Sequence, residues 1–213
     1  MTAVLIQQLT DRLRTPLPGS ATQRTMEPEL SYGRHVGPAR YDARQAAVAV
    51  ALYQTGGAWQ IPLVVRPESL THHAGQIGLP GGIIDPGETS EQAALRELEE
   101  ELGIDRSQTT LLGQLTPLYV FGTNFLITPW IMSLSSPVSF HPSAAEVQEV
   151  LQVPLTHLLD PKNRGQHIEK RGTLQLTAPH FHWQGHNIWG ATGMILAEFV
   201  AIIHDLPAAL TAA

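Results

Sequence analysis

The stretch that decides the fold runs from Leu79 to Ile104, "LPGGIIDPGETSEQAALRELEEELGI". Its second half is helical by periodicity: Ala94, Leu95, Leu98 and Leu102 recur at the spacing of one helix face. Thr89 and Gln92 stand as a capping box at its start, and Gly103 as its stop. Pro80-Gly81-Gly82 and Asp85-Pro86-Gly87 are turn chemistry, the latter suited to a type II turn with Gly87 at positive φ, so a tight loop feeds the helix. On that helix Glu97 and Glu101 are four apart and Glu97 and Glu100 three apart, which puts three carboxylates on one face while Glu99 points elsewhere. Each like-charge pair of this kind costs about 0.2–0.5 kcal/mol on an exposed helix, and only Arg96 lies within the run to offset it. Two explanations compete. One is a solvated acidic face relieved by an i,i+4 contact from Arg96 to Glu100; the other is a set of hard oxygen ligands for a divalent cation.

Outward from this stretch the chain alternates strand-like and helix-like segments. "QAAVAVALYQTGGAWQIPLVVR" holds two apolar runs about Thr55-Gly56-Gly57 and predicts a hairpin. "LLGQLTPLYVF" and "FLITPWIMSL" predict strands joined by a loop at "TPLYVFGTN", "EVQEVLQVPLTHLL" a strand and then a short helix, and "IWGATGMILAEFVAIIHDL" a final buried helix. The N-terminal "MTAVLIQQLTDRLR" reads as an amphipathic helix and not as a signal peptide, so a cytoplasmic address is expected. Residues 14 to 45, rich in Pro and Gly without periodicity, predict an irregular surface arm. The expected organisation is one domain, with an N-terminal helix and arm over residues 1–45 and the α/β domain proper over 46–213. In fold class the pattern indicates a mixed α/β domain with helices packed on a sheet.

Composition narrows the function. A net charge of -6 gives no electrostatic footprint for a nucleic-acid backbone or an anionic membrane surface, so the expected partner is a small molecule. Absence of cysteine excludes thiolate catalysis and Cys-ligated zinc. A polyanionic substrate would need a cation as intermediary.

Gly82, five residues, Glu88, seven residues, Arg96-Glu97-Leu98, one residue, Glu100-Glu101, one residue and Gly103-Ile104 together resemble the Nudix box at every defining position. The resemblance implies a Nudix fold, an α/β architecture with a mixed β-sheet sandwiched between α-helices, and a pyrophosphatase dependent on Mg²⁺ or Mn²⁺. Glu97, Glu100 and Glu101 would be metal ligands, joined by the backbone carbonyl of Gly81, and Arg96 would orient a glutamate. Glu88 would either bind metal through water or stabilise the helix start. A downstream glutamate, Glu146 or Glu149, would serve as general base; a solvated pair at a helix or strand edge explains those two equally well.

The preceding "VVRPESLTHHAGQIGLPGG" looks like the second motif of the coenzyme A pyrophosphatase branch, matched at Arg66, Gly75 and Pro80-Gly81-Gly82. Pro67, Thr71 and Leu79 stand where that branch has a small residue, a second Arg and an aromatic. "AEVQEVLQVPLTHLL" and "HNIWGATGMIL" resemble two further segments of it. The resemblance implies hydrolysis of coenzyme A, and of acyl-CoA, to 3',5'-ADP and 4'-phosphopantetheine or its acyl form, with Arg66, Gly75 and Gly82 at the substrate. Another nucleoside diphosphate derivative, such as ADP-ribose or NADH, is the alternative; a non-catalytic Nudix-like binding module is the alternative from another class. His72 and His73 are expected in an exposed loop. "HFHWQGH", with His180, His182 and His186, is expected as a surface hairpin sooner than a transition-metal site, and Trp189 as core.

Overall fold

The computed structural model describes residues 2–30, 37–68 and 75–207. Thr71, His72 and His73 lie outside them. The N-terminal amphipathic pattern becomes helix α1 (Thr2–Leu13), which sinks Leu5 and Leu9 into the core. The next stretch, expected as an irregular arm, contains helix α2 (Ser20–Gln23), a 3-10 turn (Arg24–Met26) and strand β1 (Glu29–Leu30). Tertiary contacts fix these short pieces. Met26 is buried in the main core, and the fully buried Glu198 accepts hydrogen bonds from Gly19 N (3.0 Å), Gln23 Nε2 (2.8 Å) and Thr116 Oγ1 (2.6 Å). A buried carboxylate with three donors is satisfied, and it ties the arm to the end of the chain.

Strands β2 (Arg44–Thr55) and β3 (Ala58–Val65) form the expected hairpin: Thr55 pairs with Ala58 across Gly56-Gly57, both at positive φ as a tight two-residue turn requires. The short β4 (Ile77–Gly78) follows, and Gly81–Ile83 is strand β5, not part of a turn. Its glycines are held extended by pairing with Ala46, Ala47 and Val48 of β2. The turn at Asp85-Pro86-Gly87 forms as expected, closed by Glu88 N donating to Asp85 O at 3.0 Å. Helix α3 (Ser90–Leu102) has both arms of the Thr89/Gln92 capping box, and Gly103 ends it in the left-handed conformation.

Beyond it come β6 (Thr109–Gln114), β7 (Leu118–Val120), β8 (Phe125–Leu134), β9 (Glu149–Pro154), helix α4 (Leu155–Leu159), β10 (Arg164–Arg171), β11 (Leu174–Trp183), β12 (His186–Trp189) and helix α5 (Gly190–His204). Part of the expected loop at "TPLYVFGTN" is strand β7, recruited by pairing with β8.

The larger sheet has the order β4-β3-β2-β8-β6, with β5 on β2, β7 on β8 and β9 on β3. It is mixed: β2 and β8 run parallel, and the other pairs are antiparallel. Alternation along β2 divides the core. Ala47, Ala49, Ala51 and Tyr53 cluster with Ala93, Ala94, Leu98 and Leu102 of α3, while Val50 and Leu52 cluster with Leu5 and Leu9 of α1 and with the apolar residues of α5. The sheet therefore lies between helices. The alanines of β2 have a use here, since small side chains let α3 approach closely and bring its acidic face to the edge of β5. A second sheet, β1-β11-β10 with β12 on β11, completes the chain.

Candidate active site

The acidic face of α3 meets the open edge of β5. Gly81 N donates to Glu101 Oε2 at 3.1 Å, and Arg96 Nη2 donates to Ile83 O at 3.0 Å. Two glycines permit this approach. A Cβ on Gly81 would strike the backbone of Ala47 and Val48, and one on Gly82 would overlap the Glu97 carboxylate. Arg96 is the hub. It donates to both oxygens of Glu88 at 3.0 Å each, to Glu97 Oε1 at 2.8 Å and to Glu100 Oε2 at 3.0 Å. Glu88 also accepts from Asp85 N at 3.1 Å, so it braces the turn against the helix.

Glu101 is 2% exposed, and burial pushes its carboxyl up to about 8 against the pull of the Gly81 N–H and of Arg66. Burial also raises Glu97, against hydrogen bonding from Arg96. Arg96 lowers Glu88, chiefly by hydrogen bonding. Two carboxylates are thus kept in surroundings hostile to their own charge.

Arg66 Nη1 lies 3.7 Å from Glu101 Oε1, and its buried Nε has no hydrogen-bond partner among the described residues. Gly75 sits opposite Arg66, donating to Arg66 O at 3.0 Å, in a left-handed conformation against the Glu68 carboxylate. Thr192, from the "IWGATGMIL" segment, donates to Ile77 O at 3.0 Å and fastens the start of α5 to β4. The structure separates the two glutamates named as candidate bases. The charge of Glu146 helps raise Glu97 and Glu101, whereas the Glu149 carboxylate lies 3.9 Å from His186 Nε2.

As placed, the three α3 carboxylates do not form a closed cage, and no group of three His, Cys, Asp or Glu among the described residues stands ready around one point. Arg96 Nη1 bridges Glu97 and Glu100, while Gly81 N engages Glu101. The donor set nevertheless fits a hard divalent cation: two desolvated carboxylates with raised proton affinity, a third exposed beside them, and a glycine edge that leaves room. An open groove of about 520 Å³ runs along the outer side of α3, bounded by Glu88, Arg96, Glu99 and Arg106, and Glu97 and Glu101 do not line it.

The histidine-rich segment is the expected hairpin, β11 with β12, but it is not wholly at the surface. His180 is buried with its Nδ1 3.0 Å from that of His167, and His182 is exposed. Trp189, expected in the core, is only half-buried.

A model of the NUDIX domain matches residues 43–171. The chain belongs to the Nudix family. A Nudix hydrolase of Photorhabdus laumondii, NudL, is 39% identical over 146 residues, covering 64% of this chain and 73% of that protein. The mitochondrial coenzyme A diphosphatase NUDT8 of Homo sapiens is 35% identical over 164 residues, covering 74% of this chain and 69% of its own. Among solved structures, the Nudix hydrolase RenU from M. smegmatis superposes with a TM-score of 0.51 at 20% identity, over 84% of this chain and 95% of that one, a likeness of fold. The protein is thus a Nudix hydrolase, an enzyme of the pyrophosphatase class. Nudix hydrolases in general use divalent metals. No helix among the described residues is long and apolar enough to cross a membrane.

Proposed function

We propose that this Nudix hydrolase cleaves the diphosphate of coenzyme A, and of acyl-CoA, giving 3',5'-ADP and 4'-phosphopantetheine or its acyl form, with Mg²⁺ or Mn²⁺ bound. The observation that carries the reading is the pairing of buried carboxylates at the β5 edge with Arg66, whose free Nε offers an anion a donor. Similarity to a human coenzyme A diphosphatase over 74% of the chain supports the choice of substrate. Glu97, Glu100 and Glu101 would hold the cation, with the carbonyl of Gly81. Bound there, it would polarise the phosphoryl oxygens and lower the pKa of a water.

The chain's own part is positioning. Arg96 aims Glu97 and Glu100, and Glu88 holds Arg96 against the turn. Arg66 pairs with a phosphate oxygen. Glu146, electrostatically coupled to Glu97 and Glu101, is better placed than Glu149 to take the proton of the attacking water. Water adds to one phosphorus, the bridging P–O bond breaks, and both halves leave as phosphate monoesters. A cytoplasmic location rests on the sequence reading; the NUDT8 relative is named as mitochondrial.

Parallel assays of coenzyme A, ADP-ribose and NADH with each metal test the reading. Coenzyme A is expected to give the highest kcat/KM, and a clear preference for ADP-ribose would overturn the assignment. No turnover on any diphosphate would favour a binding module. Substitution Gly82→Ala is a second test, since the new Cβ lands on the Glu97 carboxylate. A loss of about 100-fold in kcat/KM is expected from so small a displacement, with the melting temperature nearly kept. Full activity would show that Glu97 need not stay where Gly82 leaves it room.

A further inference from the structure

The smaller sheet ends on an open strand. β10 pairs with β11 on one side, and among the described residues no strand lies along its other side. Its eight residues run in unbroken register, from Arg164 opposite Phe181 to Arg171 opposite Leu174, with no bulge and no proline. The other outer strands are blunted. β1 and β4 have two residues each, β5 and β7 three, and β12 four. β6 carries an irregularity between Leu111 and Gly113 and lies against Leu13 of α1, and β9 ends in Pro154. Such devices keep an edge from pairing with a foreign strand. β10 lacks them and leaves Ile168 57% exposed. We propose that a second copy of this chain docks on β10, the two strands pairing antiparallel about a two-fold axis through Ile168.

The charges of the strand argue for that occupant. Residues directly opposite in an antiparallel pair share a sheet face and a hydrogen-bonding state, both of which alternate along each strand. When a strand pairs with its own copy, only residues an even number apart can therefore face each other, and the axis passes through a residue. An axis through His167 would set Arg164 opposite Lys170 on both sides of it, and one through Glu169 would set that carboxylate opposite itself. Like charges so placed repel. An axis through Ile168 sets Ile168 against Ile168, His167 against Glu169 and Gln166 against Lys170, with no like charges opposite. Charged residues that discourage pairing in general thus select one register and one partner. The exposed isoleucines cover each other at its centre.

Residues 165–171 of each copy would pair, and the two smaller sheets would continue into one. Two strands with their side chains make a small interface, so a dimer that forms at about 10–100 µM is expected. The carboxylates of α3 lie against the larger sheet, and none of the residues that set the register belongs to the hydrolytic site.

Sedimentation velocity of the full chain from about 1 to 200 µM, a range that brackets such an affinity, tests this on wild type, Ile168→Lys and Gln166→Glu. Both side chains are exposed, so melting temperatures near that of wild type are expected. Wild type should show a monomer–dimer equilibrium. Ile168→Lys sets two ammonium groups on the axis and should weaken the dimer about tenfold or more. Gln166→Glu sets a carboxylate opposite Lys170 of the other copy twice over and should tighten the dimer about threefold or more. A wild type that stays monomeric throughout overturns the proposal, and so does a dimer that Ile168→Lys leaves as strong as before. Should Ile168→Lys melt early, Gln166→Glu decides alone: a dimer no tighter than that of wild type overturns the register and the docking edge with it.

Discussion

Glu97→Gln and Glu101→Gln are each expected to lower kcat/KM by about 1,000-fold or more, the scale of losing a main source of charge stabilisation in the transition state. The substitutions conserve shape. A glutamine at position 101 can still accept the Gly81 N–H through its amide oxygen, and one at 97 can still meet Arg96, so the loop and helix should stay in place. What disappears is the negative charge needed for a divalent cation. Glu99→Gln is the control: the side chain is exposed on the other side of α3, and its neutralisation should leave turnover nearly as it was. Melting temperatures near that of wild type, with turnover lost, would locate the effect in the reaction. Near-normal turnover in both variants would sink the assignment of these carboxylates, whatever the family.

The parts legible in the sequence are those whose physics is local. Helix α3 announces itself through an apolar period, a capping box and a glycine stop, all within fifteen residues of one another. The β2–β3 hairpin follows from two glycines at its turn. Strand β5 was not legible, because Gly81 and Gly82 have low strand propensity and become extended only by pairing with β2. The ordering of α2 and the 3-10 turn after it depends on Glu198, some 175 residues on, and no local pattern records that contact.

The acidic triad was legible as a helix face, but its restraint by Gly81 N and the approach of Arg66 to Glu101 belong to tertiary structure. Spacing could not choose between Glu146 and Glu149, since both precede β9 by a few residues or begin it. Their surroundings in the fold differ: the charge of Glu146 bears on Glu97 and Glu101, while the Glu149 carboxylate lies 3.9 Å from His186 Nε2. Trp189 was misplaced in the core for a similar reason. It looks apolar in sequence, yet it ends a short strand beside the half-buried His167 ring.

The burial of Glu101 has a consequence for stability. Its ordinary value is 4.5, and the folded protein raises it to about 8, chiefly by desolvation. The folded state therefore holds this proton more tightly than the unfolded chain does, so stability falls as pH rises wherever the two differ in protonation. The contribution is fully present below about 4.5 and is lost progressively as pH passes through about 8. Each tenfold difference in proton affinity is worth about 1.4 kcal/mol, which makes the total loss a few kcal/mol. Glu97, also raised by burial, adds in the same direction.

In chelator, urea unfolding from pH 5 to 8.5 should show this decline. Saturating Mg²⁺ or Mn²⁺ should flatten it, because a cation bound only by the folded state stabilises the ionised carboxylates. Glu101→Gln should flatten it without metal and should be more stable than wild type at pH 8. A wild-type profile that stays level in chelator, or one that the glutamine leaves unchanged, would mean that water or a neighbouring donor already solvates Glu101. The stored charge would then be absent, and the main physical reason for a cation to settle at the edge of β5 would go with it.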